Sequence, residues 1–227
     1  MKRTTRIVSV GFIAVISAAC ATDDPHRKAK TGAAIGAVAG AVLGHQAHSE
    51  NGRFVGAAVG ALTGAAVGNY MDKQQQRIEQ QLAAELVNND IRVTRIDDET
   101  LKLDLSSEAS FDVNSASIKS SFQNSLSKIG TVISEYDQTA VHIVGHTDST
   151  GSEQYNMQLS QRRAQAVHGY LNAQSVDRQR MRTAGRGENQ PIADNATSAG
   201  RSQNRRVEIY LKPFVQGREN EAFRPPS

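Results

Sequence analysis

Nine glycines stand on a strict four-residue period: Gly32, Gly36, Gly40, Gly44, Gly52, Gly56, Gly60, Gly64 and Gly68, interrupted only at His48. They are half of the 18 glycines in the chain. A glycine inside an isolated helix costs roughly 1 kcal/mol against alanine, so a helix built this way must recover stability from packing. A period of four keeps the glycines close to one helix face, and repeated GxxxG lets two backbones approach with little side chain between them. The spacing predicts two helices, over 31–44 and 54–71, joined by a turn at Asn51-Gly52. At 1.5 Å per residue they reach about 21 and 27 Å, against a hydrocarbon core of about 30 Å. Two readings stay open for 31–71. It is a hairpin that inserts in, or self-associates at, a membrane; or it is a helical pair packed on itself, or a low-complexity spacer.

The chain ahead of the ladder reads as an export signal. Lys2, Arg3 and Arg6 precede an apolar run over 7–19 that closes on Ser17-Ala18-Ala19. Thirteen residues of helix give about 20 Å, short for a span, although a retained anchor is the alternative. Cys20, the only cysteine, follows directly. One cysteine excludes a disulfide framework and a cysteine-based zinc site. The whole chain carries 26 Lys+Arg against 23 Asp+Glu. The three basic residues of the signal account for the whole excess, so the chain after residue 19 is formally neutral. Bulk charge therefore offers no support for nucleic-acid binding.

After the ladder, residues 72–90 are polar and Gln-rich, with Ile78, Leu82 and Leu86 on one face, and read as a helical spacer. From residue 91 the pattern changes. Strands are expected over 91–96 and 101–105, where Leu101, Leu103 and Leu105 alternate around an Asp97-Asp98-Glu99-Thr100 turn. Ser115 or Ser117 is expected to cap a helix carrying Ile118, Phe122, Leu126, Ile129 and Ile133. A strand over 140–145, a helix over 153–172 and strands over 181–184 and 206–211 follow. The order β-α-β-α-β-β predicts a two-layer α/β domain with helices on a mixed sheet. Residues 214–227 read as a polar tail.

The sharpest local signal lies on the second helix. Leu159, Val167 and Leu171 form an apolar row, and the member between them is Arg163. A charge on an apolar stripe is expensive unless it meets a partner or an edge. Asp148 sits in the loop after the 140–145 strand, at the carboxyl end of the sheet where α/β proteins hold ligands. A structural Asp148–Arg163 ion pair is the competing reading.

Three resemblances follow from these residues. Ser17-Ala18-Ala19-Cys20 resembles the lipobox of bacterial lipoproteins, departing from it at Ser17, where leucine is commoner. That implies acylation at Cys20, and Ala21 after it implies the outer membrane; an ordinary cleavage site with an incidental thiol is the alternative. The ladder resembles the glycine-zipper region of outer-membrane lipoproteins. His146-Thr147-Asp148, Gly151, Asn156, Leu159-Ser160, Arg163-Ala164, Gly185-Arg186-Gly187-Glu188 and Asn204-Arg205-Arg206-Val207-Glu208, with Phe111-Asp112 ahead of the first helix, resemble the OmpA C-terminal domain over 91–213. That family binds peptidoglycan noncovalently. The resemblance implies that Asp148 and Arg163 grip the diaminopimelate of the peptide stem. Asn156, Leu159 and Asp112 match further pocket positions, and Arg206 serves either the site or the strand start.

These readings give a domain plan of 1–19 signal, 20–30 linker, 31–71 glycine-rich hairpin, 72–90 spacer, 91–213 OmpA-like domain and 214–227 tail. No Ser-His-Asp order, zinc set or phosphate-cradling loop with a lysine stands in the sequence, so catalysis, a metal and a cofactor are not expected. The expectation is an outer-membrane lipoprotein with its C-terminal domain in the periplasm, peptidoglycan as its partner and no nucleic acid. Two alternatives stand beside it: an envelope assembly factor, and a homo-oligomer or pore assembled through the ladder.

Overall fold

The computed structural model describes residues 61–225. The signal, Cys20, the 20–30 linker and most of the ladder lie outside the described residues. Elements are numbered here in chain order. Five strands, β1 (Ile91–Asp97), β2 (Thr100–Ser106), β3 (Thr139–Gly145), β4 (Met181–Gly185) and β5 (Arg206–Pro213), form one sheet in the order β1-β2-β5-β3-β4. Pairing is antiparallel except between β3 and β4. The helices are α1 (Gly64–Gln81), α2 (Ala83–Val87), α3 (Ser107–Ser110), α4 (Ser120–Glu135), α5 (Glu153–Ala173) and α6 (Ser198–Asn204). The expected two-layer α/β arrangement is the one that folds. Both strands of the expected hairpin form, as β1 and β2, and α6 parts the last two strands.

The core lies between one sheet face and the helices. Leu101, Leu103 and Leu105 of β2, Val207, Ile209 and Leu211 of β5, and Val141 and Ile143 of β3 point into it, as alternation requires. They meet Phe122, Leu126, Ile129 and Ile133 of α4 and Ala164, Val167 and Leu171 of α5. Strand β3 is buried along its whole length, between two neighbours and under α5. Neither expected serine caps α4. That helix starts at Ser120 after Lys119, while Ser115 Oγ accepts the N–H of Ser117 in the preceding turn. Ile118 falls before the helix and bridges to Phe111.

The 72–90 stretch is helical, but it does not hang free as a spacer. Helix α1 runs without a break from Gly64 to Gln81, across the expected boundary at 71, and buries Val67, Met71, Gln74 and Ile78. Leu82 follows them into the core, and Glu85 of α2 ties down to Ser125 Oγ and Lys128 Nζ, each at 2.8 Å. Tyr70 Oη accepts the backbone N–H of Gln138 at 3.1 Å. Leu62 exchanges backbone hydrogen bonds with Phe214 and Gln216, so the folded unit already includes the last residues of the ladder. No described helix is long and apolar enough to cross a membrane.

The expected polar tail is also part of the fold. Phe214, Val215 and Ala222 are buried, and the Phe214 and Phe223 rings lie 5.3 Å apart. A 3-10 turn at Glu219–Phe223 packs on β3 and β5, where His142 Nε2–H donates to the Ala222 carbonyl at 2.7 Å. A cleft of about 390 Å³ lies between this strap, at Val215, Arg218 and Glu221, and the β1–β2 turn at Asp97–Thr100. None of the expected site residues lines it.

Candidate functional site

The site forms where β3 ends and α5 begins. Two glycines at the carboxyl ends of β3 and β4, Gly145 and Gly185, face each other in register. A Cβ on Gly145 would sit 2.1 Å from the Ser160 carbonyl oxygen, and one on Gly185 would sit 2.7 Å from the Gln161 backbone nitrogen. Glycine here lets α5 rest directly on the strand ends. The chain then turns through His146–Gly151, and Ser152 caps α5 by accepting the Tyr155 N–H on its hydroxyl.

That turn points Asp148 into the crevice under the first half of α5. Asp148 Oδ1 accepts the Thr150 N–H at 2.8 Å, and Oδ2 accepts from Arg205 Nη1 at 2.6 Å. Burial alone would raise the Asp148 carboxyl; the Arg205 guanidinium and the Thr150 donors outweigh it and hold the group below its ordinary value. Arg205 also bonds Glu108 of α3, so one guanidinium is shared by two carboxylates.

Arg163 is only 3% exposed. Its Nε donates to the Ser115 carbonyl at 2.9 Å, and its guanidinium carbon lies 5.2 Å from the centre of the Phe111 ring. Burial lowers its pKa, with Tyr155 and Asp148 pulling weakly the other way. Among the described residues no carboxylate lies within ion-pair distance of Arg163. The direct Asp148–Arg163 salt bridge is therefore absent there, and the partner of Asp148 is Arg205.

The other expected residues divide. Asn156, 2% exposed, uses Nδ2 to reach the carbonyls of Asp148 and Thr150, each at 3.2 Å, and Glu188 Oε2 at 2.6 Å. It braces the loop that carries Asp148. Leu159 is buried one turn ahead of Arg163 on α5. Asp112 follows Phe111 at the mouth, with its side chain 75% exposed and Lys119 Nζ 3.8 Å away. Arg206 belongs elsewhere. Its Nε donates to Glu208 Oε1 at 2.9 Å, and its other donors reach the Asn204 and Gln190 carbonyls. Glu208 Oε2 in turn accepts from His146 Nε2 at 3.0 Å and from Tyr210 Oη at 2.8 Å. Burial would raise the Glu208 carboxyl, but these donors and the Arg206 charge hold it far below its ordinary value. Burial keeps His146 neutral. This network fastens the strand ends beneath the Asp148 loop, a structural role for Arg206.

Arg205 and Glu108 are the residues that the sequence did not single out for the site. The available signal for Arg205 was its place in the Asn204-Arg205-Arg206 block, beside Arg206 at the start of a strand. Adjacent residues of a strand face opposite sides, so only one of the pair can enter the buried network. No group of three or more His, Cys, Asp or Glu able to hold a metal occurs among the described residues. What the crevice offers is a held carboxylate, an unpaired buried guanidinium and an aromatic wall. It suits a small ligand carrying both an anion and a cation.

The OmpA family model matches residues 110–205, and the YMGG-like Gly-zipper model matches residues 1–72. The chain is 36% identical over 224 residues to the Escherichia coli (strain K12) "Probable lipoprotein YiaD", covering 94% of this chain and 100% of that one. It is 38% identical over 114 residues to the outer-membrane lipoprotein YfiB of Pseudomonas aeruginosa, covering 50% of this chain and 68% of the relative. Among solved structures, the cell wall anchor of the T6SS from Pseudomonas aeruginosa superposes with a TM-score of 0.55 at 30% identity, covering 61% of this chain and 99% of that one. A MotB-like protein of Desulfovibrio vulgaris shares the fold, with a TM-score of 0.59 at 19% identity over 66% of this chain and 98% of that one. Since the relationship to the Escherichia coli lipoprotein covers 94% of this chain and all of that one, the chain belongs to the OmpA-like peptidoglycan-binding lipoprotein family, as a member with a glycine zipper ahead of its OmpA domain.

Proposed function

We propose that this protein holds peptidoglycan noncovalently by the diaminopimelate of the peptide stem, and so tethers the outer membrane to the cell wall through an acylated Cys20. The observation that carries the reading is Arg163. A guanidinium removed from water without a carboxylate partner is costly, and one buried against an aromatic ring at a crevice is suited to receive an anion from outside. Diaminopimelate ends in a carboxylate and an ammonium on one carbon. The carboxylate goes to Arg163, which presents a planar fork of donors. The ammonium goes to Asp148, whose carboxylate is held ionised. Asp112, next to Phe111 and with its side chain largely exposed, would meet the rest of the stem. Asn156 keeps the loop in shape.

Anchoring would come from the lipid on Cys20, since one set of acyl chains gives reversible membrane binding and additional chains make it lasting. The test is sedimentation of the mature protein with isolated peptidoglycan. Asp148→Ala and Arg163→Ala are each expected to weaken binding by at least about tenfold, the loss of roughly one charged hydrogen-bond pair. Sedimentation of both variants at the wild-type level would remove the proposed contact.

A further inference from the structure

Glu108 has no place in the function proposed above, yet it is bonded to the residue that holds Asp148. It lies on α3, in the turn that leads into Phe111 and Asp112, and its side chain is 57% exposed. The Ser202 hydroxyl and the Arg205 guanidinium hold its carboxyl below the ordinary value, so it is ionised at neutral pH. Arg205 therefore stands between two carboxylates 40 residues apart in the chain, Glu108 on one side and Asp148 on the other. Arg205 thus has its charge balanced by a carboxylate on either side, while Arg163, Lys119, Asp112 and Glu188 are the other charged groups of the site.

That balance bears on what Asp148 can bind. An ammonium reaching Asp148 must approach a carboxylate that already has a guanidinium 2.6 Å from one oxygen. Without a counter-charge, Arg205 would repel the ammonium and cancel the field of Asp148. Glu108 supplies the counter-charge from the far side of Arg205. We propose that Glu108 is a positioning residue that sets preference for the ammonium half of the ligand, acting through Arg205 rather than by touching the ligand. The inference rests on the reading of Asp148 as the ammonium acceptor.

The test compares two ligands on two proteins. The ligands are a muropeptide whose stem carries meso-diaminopimelate and the same muropeptide with the side-chain amine acetylated. The proteins are the full mature chain in detergent, as wild type and as Glu108→Gln, titrated by calorimetry. Wild type is expected to prefer the free amine by about tenfold or more, and Glu108→Gln to reduce that preference to about threefold or less, because the variant leaves Arg205 uncompensated beside Asp148. A merely structural role for Glu108 would weaken both ligands alike and leave their ratio unchanged. Wild-type binding with an unchanged ratio in Glu108→Gln overturns the role of Glu108 alone. Failure of wild type to bind the unmodified muropeptide overturns this role together with the diaminopimelate reading. Because Glu108 is more than half exposed, the thermal midpoint of the variant should stay close to that of wild type.

Discussion

Glu208 carries a charge in the interior at 4% exposure, held by hydrogen bonds from Arg206, His146 and Tyr210 and by the Lys102 ammonium 3.6 Å away. Its folded pKa is depressed below the ordinary 4.5, so the stability it contributes is present above that value and is lost as pH falls below it. His146 is also depressed, from 6.5, because burial disfavours its charged form. Its contribution therefore begins to fall earlier, as pH drops below 6.5, when the unfolded chain takes a proton that the folded one refuses. The two windows can be separated. Glu208→Gln removes the carboxylate and leaves Arg206 buried without its partner, a change expected to cost about 3–5 kcal/mol at pH 7. Below pH 4.5 the variant should lose stability less steeply than wild type, since one titrating carboxylate is gone. Urea midpoints at pH 7, 5.5, 4.5 and 3.5 read both effects, and parallel curves for the two proteins would contradict the assignment.

At the scale of elements, helix α1 is the informative piece. Val67, Met71, Gln74 and Ile78 line its inner side, Leu82 continues the row just past its end, and Gln74 is the one polar member. Gln74 is fully buried, and neither atom of its amide has a hydrogen-bond partner among the described residues. Such a group costs about 1–3 kcal/mol relative to a satisfied one. Gln74→Leu, which keeps the volume and removes the orphaned amide, should therefore raise stability by about 1–3 kcal/mol. It should also slow amide exchange in α1 relative to β3, as expected of a helix that opens separately from the sheet. Exchange measured by mass spectrometry on both proteins decides this; equal or faster exchange in the variant's α1 would count against it. The same helix shows where reading the sequence stopped short. The strands were legible because Leu101, Leu103 and Leu105 alternate, and Arg163 was legible because it interrupts an apolar row. Helix α1 was misdivided because Val67 and Met71 belong by composition to the glycine ladder, while Gln74 breaks the row that would have joined them to Ile78. The serines before α4 resemble caps but are spent in the preceding turn. Arg205 was missed as the partner of Asp148 because 57 residues separate them, and only the sheet brings their ends together. The strap at 214–223 has too few apolar residues to signal burial, and its Phe214 and Phe223 find each other only once β5 is in place.

For the whole molecule, docking of α1 moves the boundary between tether and domain. The folded unit begins by Leu62, which is bonded to the strap at Phe214 and Gln216. If Cys20 carries the lipid as proposed, the reach to the domain would have to come from residues 21–60, and none of it from the stretch 72–90. Fully extended, that segment spans at most about 130–145 Å at 3.3–3.6 Å per residue. Wholly helical, it would span about 60 Å at 1.5 Å per residue. On the proposed function a tether must hold at both ends, and the ends would lie on different chemistry: an acyl chain at Cys20 and a charged crevice at Asp148 and Arg163. They should fail independently. Cys20→Ser is expected to leave the membrane fraction yet still sediment with isolated peptidoglycan. Asp148→Ala should stay with the membrane and lose the wall. The double variant should be found with neither. Fractionation of cells carrying each form, followed by peptidoglycan sedimentation, reads all three. Because the chain after residue 19 is formally neutral, no net charge is available to hold it on anionic lipid or on the wall when both specific contacts are gone. Retention of the double variant in either fraction would therefore point to a third attachment, and the glycine ladder between the two ends is the segment that would have to supply it.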